Sequence, residues 1–238
     1  MPTVYADSSG SFDDGQATKS GSVSAARNAT VANSFIATVA TTICGHAQSL
    51  FGTLVYRTLY AFDFSGESGT IASANLKVSS EKDITSGFIL YTATDETYVC
   101  KLSSVGSGFT TTSVNDMDGW ISSGDYTGSV TQYSSAFTNA ASTTHTVALN
   151  ATAISDINAV MGSGSIYLGL LHTDDFEYNT GGTNDLGNPA GGIAFIKVEG
   201  SRFHSMETSA GNAYKPQIDY TAAVAAAADD AVFFGANF

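Results

Sequence analysis

Four pairs of neighbouring carboxylates, Asp13/Asp14, Asp95/Glu96, Asp174/Asp175 and Asp229/Asp230, are the first residues in this chain whose chemistry invites a test. Glycoside hydrolysis needs two carboxyl groups across one bond, one of them kept protonated by burial beside an apolar wall. Most of these pairs lie in polar, loop-like stretches, where a solvated turn is the ordinary arrangement. The four histidines, His46, His145, His172 and His204, are scattered without metal-ligand spacing. The sequence holds no Gly-x-Ser-x-Gly elbow, no P-loop, no Gly-x-Gly-x-x-Gly and no His-Glu-x-x-His. It therefore reads as a protein that is not an enzyme.

Two segments suit binding. Residues 173–186, Thr-Asp-Asp-Phe-Glu-Tyr-Asn-Thr-Gly-Gly-Thr-Asn-Asp-Leu, are rich in hard oxygen donors. Calcium (Ca2+) is the ion such a loop would take, through Asp174, Asp175 and Asp185, although the spacing matches no EF-hand. In residues 116–128, Trp120 and Tyr126 stand among Asp116, Asp118, Asp125 and several glycines. Rings so placed either anchor their own loop or stack on a surface glycan.

The elements that must position these residues are β-strands. The 238 residues are 43% hydrophobic and 13% charged, enough for one large sandwich or two small domains. Residues 35–44, 54–64, 74–79, 88–92, 98–102, 144–149, 166–172, 193–198 and 215–221 are short runs of alternating or β-branched type. In 54–64 the period of two puts Tyr56, Tyr60, Phe62 and Phe64 on one face, with Arg57 and Asp63 on the other. One helix interrupts this pattern at 150–161, with Asn150 as N-cap, Ile154, Ile157 and Met161 as its apolar stripe, and Gly162 as its stop. The fold class expected is all-β: an antiparallel β-sandwich of jelly-roll kind with one short helix. Residues 1–30 read as an extended polar arm, 31–221 as the sandwich, and 222–238 as a tail. That tail is an alanine-rich tether carrying Phe233, Phe234 and Phe238, which would either fold back or lock into a neighbouring subunit.

Charge narrows the partners. With 22 acidic and 9 basic residues the net charge is −13, and no Lys/Arg cluster is present to neutralise phosphates. Nucleic acid and anionic membrane surfaces are excluded as partners on that ground. The first twenty residues show neither a basic n-region nor an apolar h-region, so a Sec-type signal is not expected. Cys44 and Cys100 lie in strand-like contexts and read as buried thiols, a single disulfide between neighbouring strands being the lesser alternative.

Four stretches taken together resemble the DNRLRE-type jelly-roll modules: Arg57-Thr-Leu-Tyr-Ala-Phe-Asp-Phe-Ser; Gly69-Thr-Ile-Ala-Ser-Ala-Asn-Leu-Lys-Val; Thr146-Val-Ala-Leu-Asn-Ala-Thr-Ala-Ile-Ser-Asp-Ile-Asn; and Phe203-His-Ser-Met-Glu with Tyr214-Lys-Pro-Gln-Ile-Asp-Tyr. The name-giving Asp-Asn-Arg-Leu-Arg-Glu run is absent, so the likeness is to the wider jelly-roll group. Such modules occur in structural proteins of tailed bacteriophages and in secreted carbohydrate-binding proteins. The resemblance implies a virion subunit, assembled in the host cytoplasm as a homo-oligomer beside other virion subunits. The alternative it implies is a secreted carbohydrate-binding module.

Overall fold

The computed structural model describes residues 1–8, 14–21, 23–37, 39–49, 52–81, 96–103, 105–119, 128–176 and 197–223. In chain order the elements are β1 (Thr3–Tyr5), β2 (Gly15–Gly21), α1 (Val23–Arg27), β3 (Ser34–Ile36), β4 (Thr41–Ser49), β5 (Gly52–Asp63), β6 (Ile71–Ser79) and β7 (Glu96–Lys101). There follow β8 (Phe137–Thr138), β9 (Thr144–Ala148), α2 (Ala151–Val160), β10 (Ser165–His172), α3 (Thr173–Phe176), β11 (Lys197–His204) and β12 (Gln217–Ala222).

Strand pairing is nested. β4 pairs with β11, β5 with β10, β6 with β9 and β7 with β8, all antiparallel. An eight-strand hairpin rolled into two layers in this way is a jelly roll. The smaller sheet runs β1-β12-β6-β9, and the larger runs β11-β4-β5-β10-β7-β8, with β2 beside β5 and β3 beside β2. The expected all-β sandwich is therefore present. Between the sheets lies the main core, built on Tyr60, Phe62, Phe64, Leu76, Leu168 and Phe203.

The outer face of the larger sheet is apolar too. Leu59, Ala61, Cys100, Leu102 and Leu171 cluster there with Ala17 of β2, against Phe109, Met117 and Val130 of the segment after β7. The described parts of residues 1–30, expected as an extended polar arm, include two strands built into the sheets. β1 completes the smaller sheet against β12, and β2 runs along the whole first half of β5. Their polarity in sequence hid this role, because a strand held by a neighbour's ladder needs few apolar side chains of its own.

Two local devices hold the register. Asn158 of α2 acts as a piece of strand: its Oδ1 accepts from the Ile71 amide at 2.8 Å and its Nδ2 donates to the Ile71 carbonyl at 3.1 Å. The helix is itself capped by Asn150, which accepts from the Ala153 amide at 3.1 Å, and turns off at Gly162 with φ 76°. Midway along the β4–β11 pair, Gly45 and Gly200 face each other. Gly200 has φ 138°, and a Cβ there would overlap the Cys44 carbonyl and come 2.6 Å from the Gly45 Cα. Cys44 and Cys100 are both free and fully buried, and burial pushes both thiols up.

Asn158→Ala should destabilise the fold by about 1–2 kcal/mol, because it strands a backbone donor and acceptor. Strain at an unfavourable φ costs about 1–3 kcal/mol, and the overlap adds to it, so Gly200→Ala should cost more than Asn158→Ala. Urea midpoints of the two variants check both values, and Gly200→Ala at wild-type stability would contradict this close backbone approach.

Candidate functional site

α1 ends on Arg27, β5 carries Arg57, and α3, directly after β10, carries Asp175. All three side chains are essentially inaccessible to solvent. Arg57 grips the carboxylate with both ends of its fork, Nε to Oδ2 at 2.6 Å and Nη2 to Oδ1 at 2.8 Å. Its Nη2 also donates to the Arg27 carbonyl at 2.9 Å. Arg27 donates from Nε to the Asp175 carbonyl at 2.8 Å, with the same nitrogen 3.5 Å from Oδ1. Such a bidentate grip supplies the hydrogen bonds that burial takes from both partners. Beside it the Tyr98 and Phe176 rings stack at 4.1 Å, and His46 meets His172 edge-on at 5.7 Å. The node joins three chain segments into one rigid piece, with Asp175 more than a hundred residues from both arginines.

A second polar cluster frames the stem of the segment that holds Trp120 and Tyr126. The Lys101 amide donates to the Thr131 carbonyl, the Asp118 amide to the Lys101 carbonyl and the Thr131 amide to the Asp118 carbonyl, each at 2.9 Å. From the end of β7, Lys101 reaches Asp156 of α2 at 2.8 Å, and the Tyr133 hydroxyl donates to the same oxygen at 2.7 Å. Burial alone would raise the Asp156 pKa; the bonds from Lys101 and Tyr133 outweigh it and hold the carboxyl below its usual range. Burial, then the Asp156 carboxylate, pushes the Tyr133 phenol far up. A tyrosine so held is a fastener and not a nucleophile.

Against these sites the expected residues fall out unevenly. Asp175 is not an open oxygen ligand, since both its oxygens face Arg57 in the interior; the calcium expectation keeps only Asp174 and Asp185. The Asp174 side chain, Asp185, Trp120, Tyr126, Phe233, Phe234 and Phe238 lie outside the described residues. Of the acid pairs, Asp14 is fully buried and accepts from the Met206 amide at 3.2 Å, while Glu96 is exposed on β7. Among the described residues no three His, Cys, Asp or Glu side chains come together as a metal site. Arg27 and Arg57 are the residues that sequence reasoning passed over. The signal for Arg57 was its place in line with Leu59 and Ala61, which makes its own face apolar as well.

No family model matches the chain, and no curated protein matches its sequence.

Asp175→Asn leaves two buried guanidiniums without their counter-charge and should cost about 3–5 kcal/mol, read as a lowered urea midpoint. Tyr133→Phe should cost about 1 kcal/mol, because Lys101 still holds Asp156. Asp156 contributes stability that is present above the usual carboxylate value and lost as pH falls through its lower folded value. Acid titration of Asp156→Asn should therefore show a shallower loss of stability in that window than the wild type.

Proposed function

We propose that the chain is a structural subunit of a tailed-bacteriophage virion, in a head-decoration or tail-associated position, working by packing against copies of itself and other virion subunits. The observation that carries this reading is where the protein places its buried charge. Arg27, Arg57 and Asp175 bind one another and fasten distant segments, which is a mechanical use of ionisable groups. A doubly covered β5 adds stiffness to the same scaffold. The resemblance to jelly-roll modules of phage structural proteins points the same way. After β12 the sequence continues through an alanine-rich stretch to Phe233, Phe234 and Phe238. Each ring buried on a neighbour would contribute roughly 2–3 kcal/mol to assembly. A net charge of −13 opposes non-specific association, so contact is left to such specific anchors.

A carbohydrate-binding module is the second reading. What favours it is the rigid stem at Asp118 and Thr131, tied to β7 by backbone bonds, from which Trp120 and Tyr126 would be offered to a glycan.

Light scattering and electron microscopy of the full chain test the first reading: regular oligomers, or decoration of a larger shell, are expected. β12 runs to Ala222, and the Ala223 amide bonds to the Thr70 carbonyl, so the informative truncation ends after Ala223. It should keep the melting temperature and lose assembly. A clean monomer that decorates nothing would sink the reading. For the second, Trp120→Ala should abolish retention on a glycan array at unchanged melting temperature; a large drop in melting temperature would make Trp120 a packing residue.

A further inference from the structure

β8 and β11 are the two outermost strands of the larger sheet, yet their side chains meet. The Phe137 ring of β8 and the Phe203 ring of β11 lie 6.3 Å apart, so the sheet curls until its edges converge. His145 of β9, in the opposite sheet, closes the gap, 5.4 Å from Phe137 and 6.4 Å from Phe203. The ring hydrogen-bonds the Ala140 carbonyl, which also accepts from the Ser80 hydroxyl. Its Nε2 is buried with no partner among the described residues. That arrangement suits a neutral imidazole: a second ring proton would be a buried donor facing hydrocarbon.

Among the described residues the same end is also held through Ser80 and Glu81, where the Ser80 amide donates to the Thr143 carbonyl and the Ser142 amide to the Glu81 carbonyl, and through Asn139, which donates to the Thr97 hydroxyl. β8 contributes two residues of pairing to β7. β11 meets β6 through the single bridge Ser80–Phe203 and one bond from the Glu81 amide to the Arg202 carbonyl at 2.8 Å. The charged groups on the packed elements are engaged elsewhere. Glu81 and Arg202 pair with each other at 3.2 Å on the rim. Lys77 of β6 pairs with Asp219, and His204 of β11 is bonded through Nδ1 to Thr208. Glu96 of β7, opposite Thr138, is exposed.

We propose that His145 is an acid-released latch: protonation of its ring frees β8 and β11 from each other and opens this end of the sandwich while the rest of the jelly roll stays folded. Two phenyl rings attract a cation, but the loss of hydration is the larger effect. Burial, against a smaller upward pull from the Ala140 carbonyl, lowers the pKa from 6.5. The sign follows. The closed form prefers the neutral ring, so closure is at full strength above the ordinary histidine value and weakens as pH falls through the lower folded value. The latch belongs to the fold and holds whether or not the chain assembles into a virion.

Hydrogen–deuterium exchange of the full chain at about pH 7.5 and about pH 5, corrected for intrinsic rates, tests it. Amides of β8 and β11 should exchange faster at the lower pH, up to about tenfold for each unit separating the open and closed pKa values. Those of β10 and the β5 centre should not. His145→Phe, which fills the ring position and cannot protonate, and His145→Asn, which keeps a donor for Ala140, should both lose the acceleration. Acceleration that persists in these variants, or spreads evenly over all strands, overturns the latch. If neither variant folds, NMR titration of the wild-type His145 ring decides: a value below 6.5 supports it, and a value at or above 6.5 overturns it.

Discussion

β5 is buried on both faces, and most of the structure follows from that. Its even residues Tyr60, Phe62 and Phe64 fill the space between the sheets, while Leu59 and Ala61 need a cover of their own. The segment after β7 supplies the cover, with Phe176 of α3 beside it. Sealing this second face places Arg57 out of reach of water, where its hydration has to be replaced. Asp175 replaces it, and Arg27 closes over the pair. The ion node is thus a consequence of a strand with no solvated side, and it fixes α1 and α3 because those are the elements that bring its partners.

Much of the fold was legible before any coordinates. Residues 54–64 and 166–172 were readable as strands because alternation and β-branching are local signals, and β5 and β10 sit there. The α2 helix was readable from Asn150 and Gly162, since caps act within one turn. The expected arm failed for a physical reason: β2, Gly-Gln-Ala-Thr-Lys-Ser-Gly, has few apolar side chains, and its strand state comes from pairing with β5 rather than from its own composition. Asp175 was misjudged for the same reason. An aspartate in a polar run looks solvated until a guanidinium from over a hundred residues away arrives beside it.

The same logic separates the three kinds of polar contact in the molecule. Asn158 substitutes for backbone, Arg57 substitutes for water, and His145 stays acceptable only while uncharged. The first two are satisfied contacts and oppose motion. The third is half satisfied among the described residues, which sets the meeting of β8 and β11 apart from the other two.

The pairing of Thr3 with Asp219 has a consequence in time. Each nested pair spans a longer stretch of chain than the one inside it, from β7 with β8 outward to β4 with β11, and β1 waits for β12. Loop closure over such separations is slow, placing this topology among millisecond-to-second folders rather than microsecond ones. During synthesis β6 lacks its β12 neighbour until the long stretch between them has left the ribosome. The inner pairs therefore set the order of events, and the smaller sheet is the last part of the molecule to become complete.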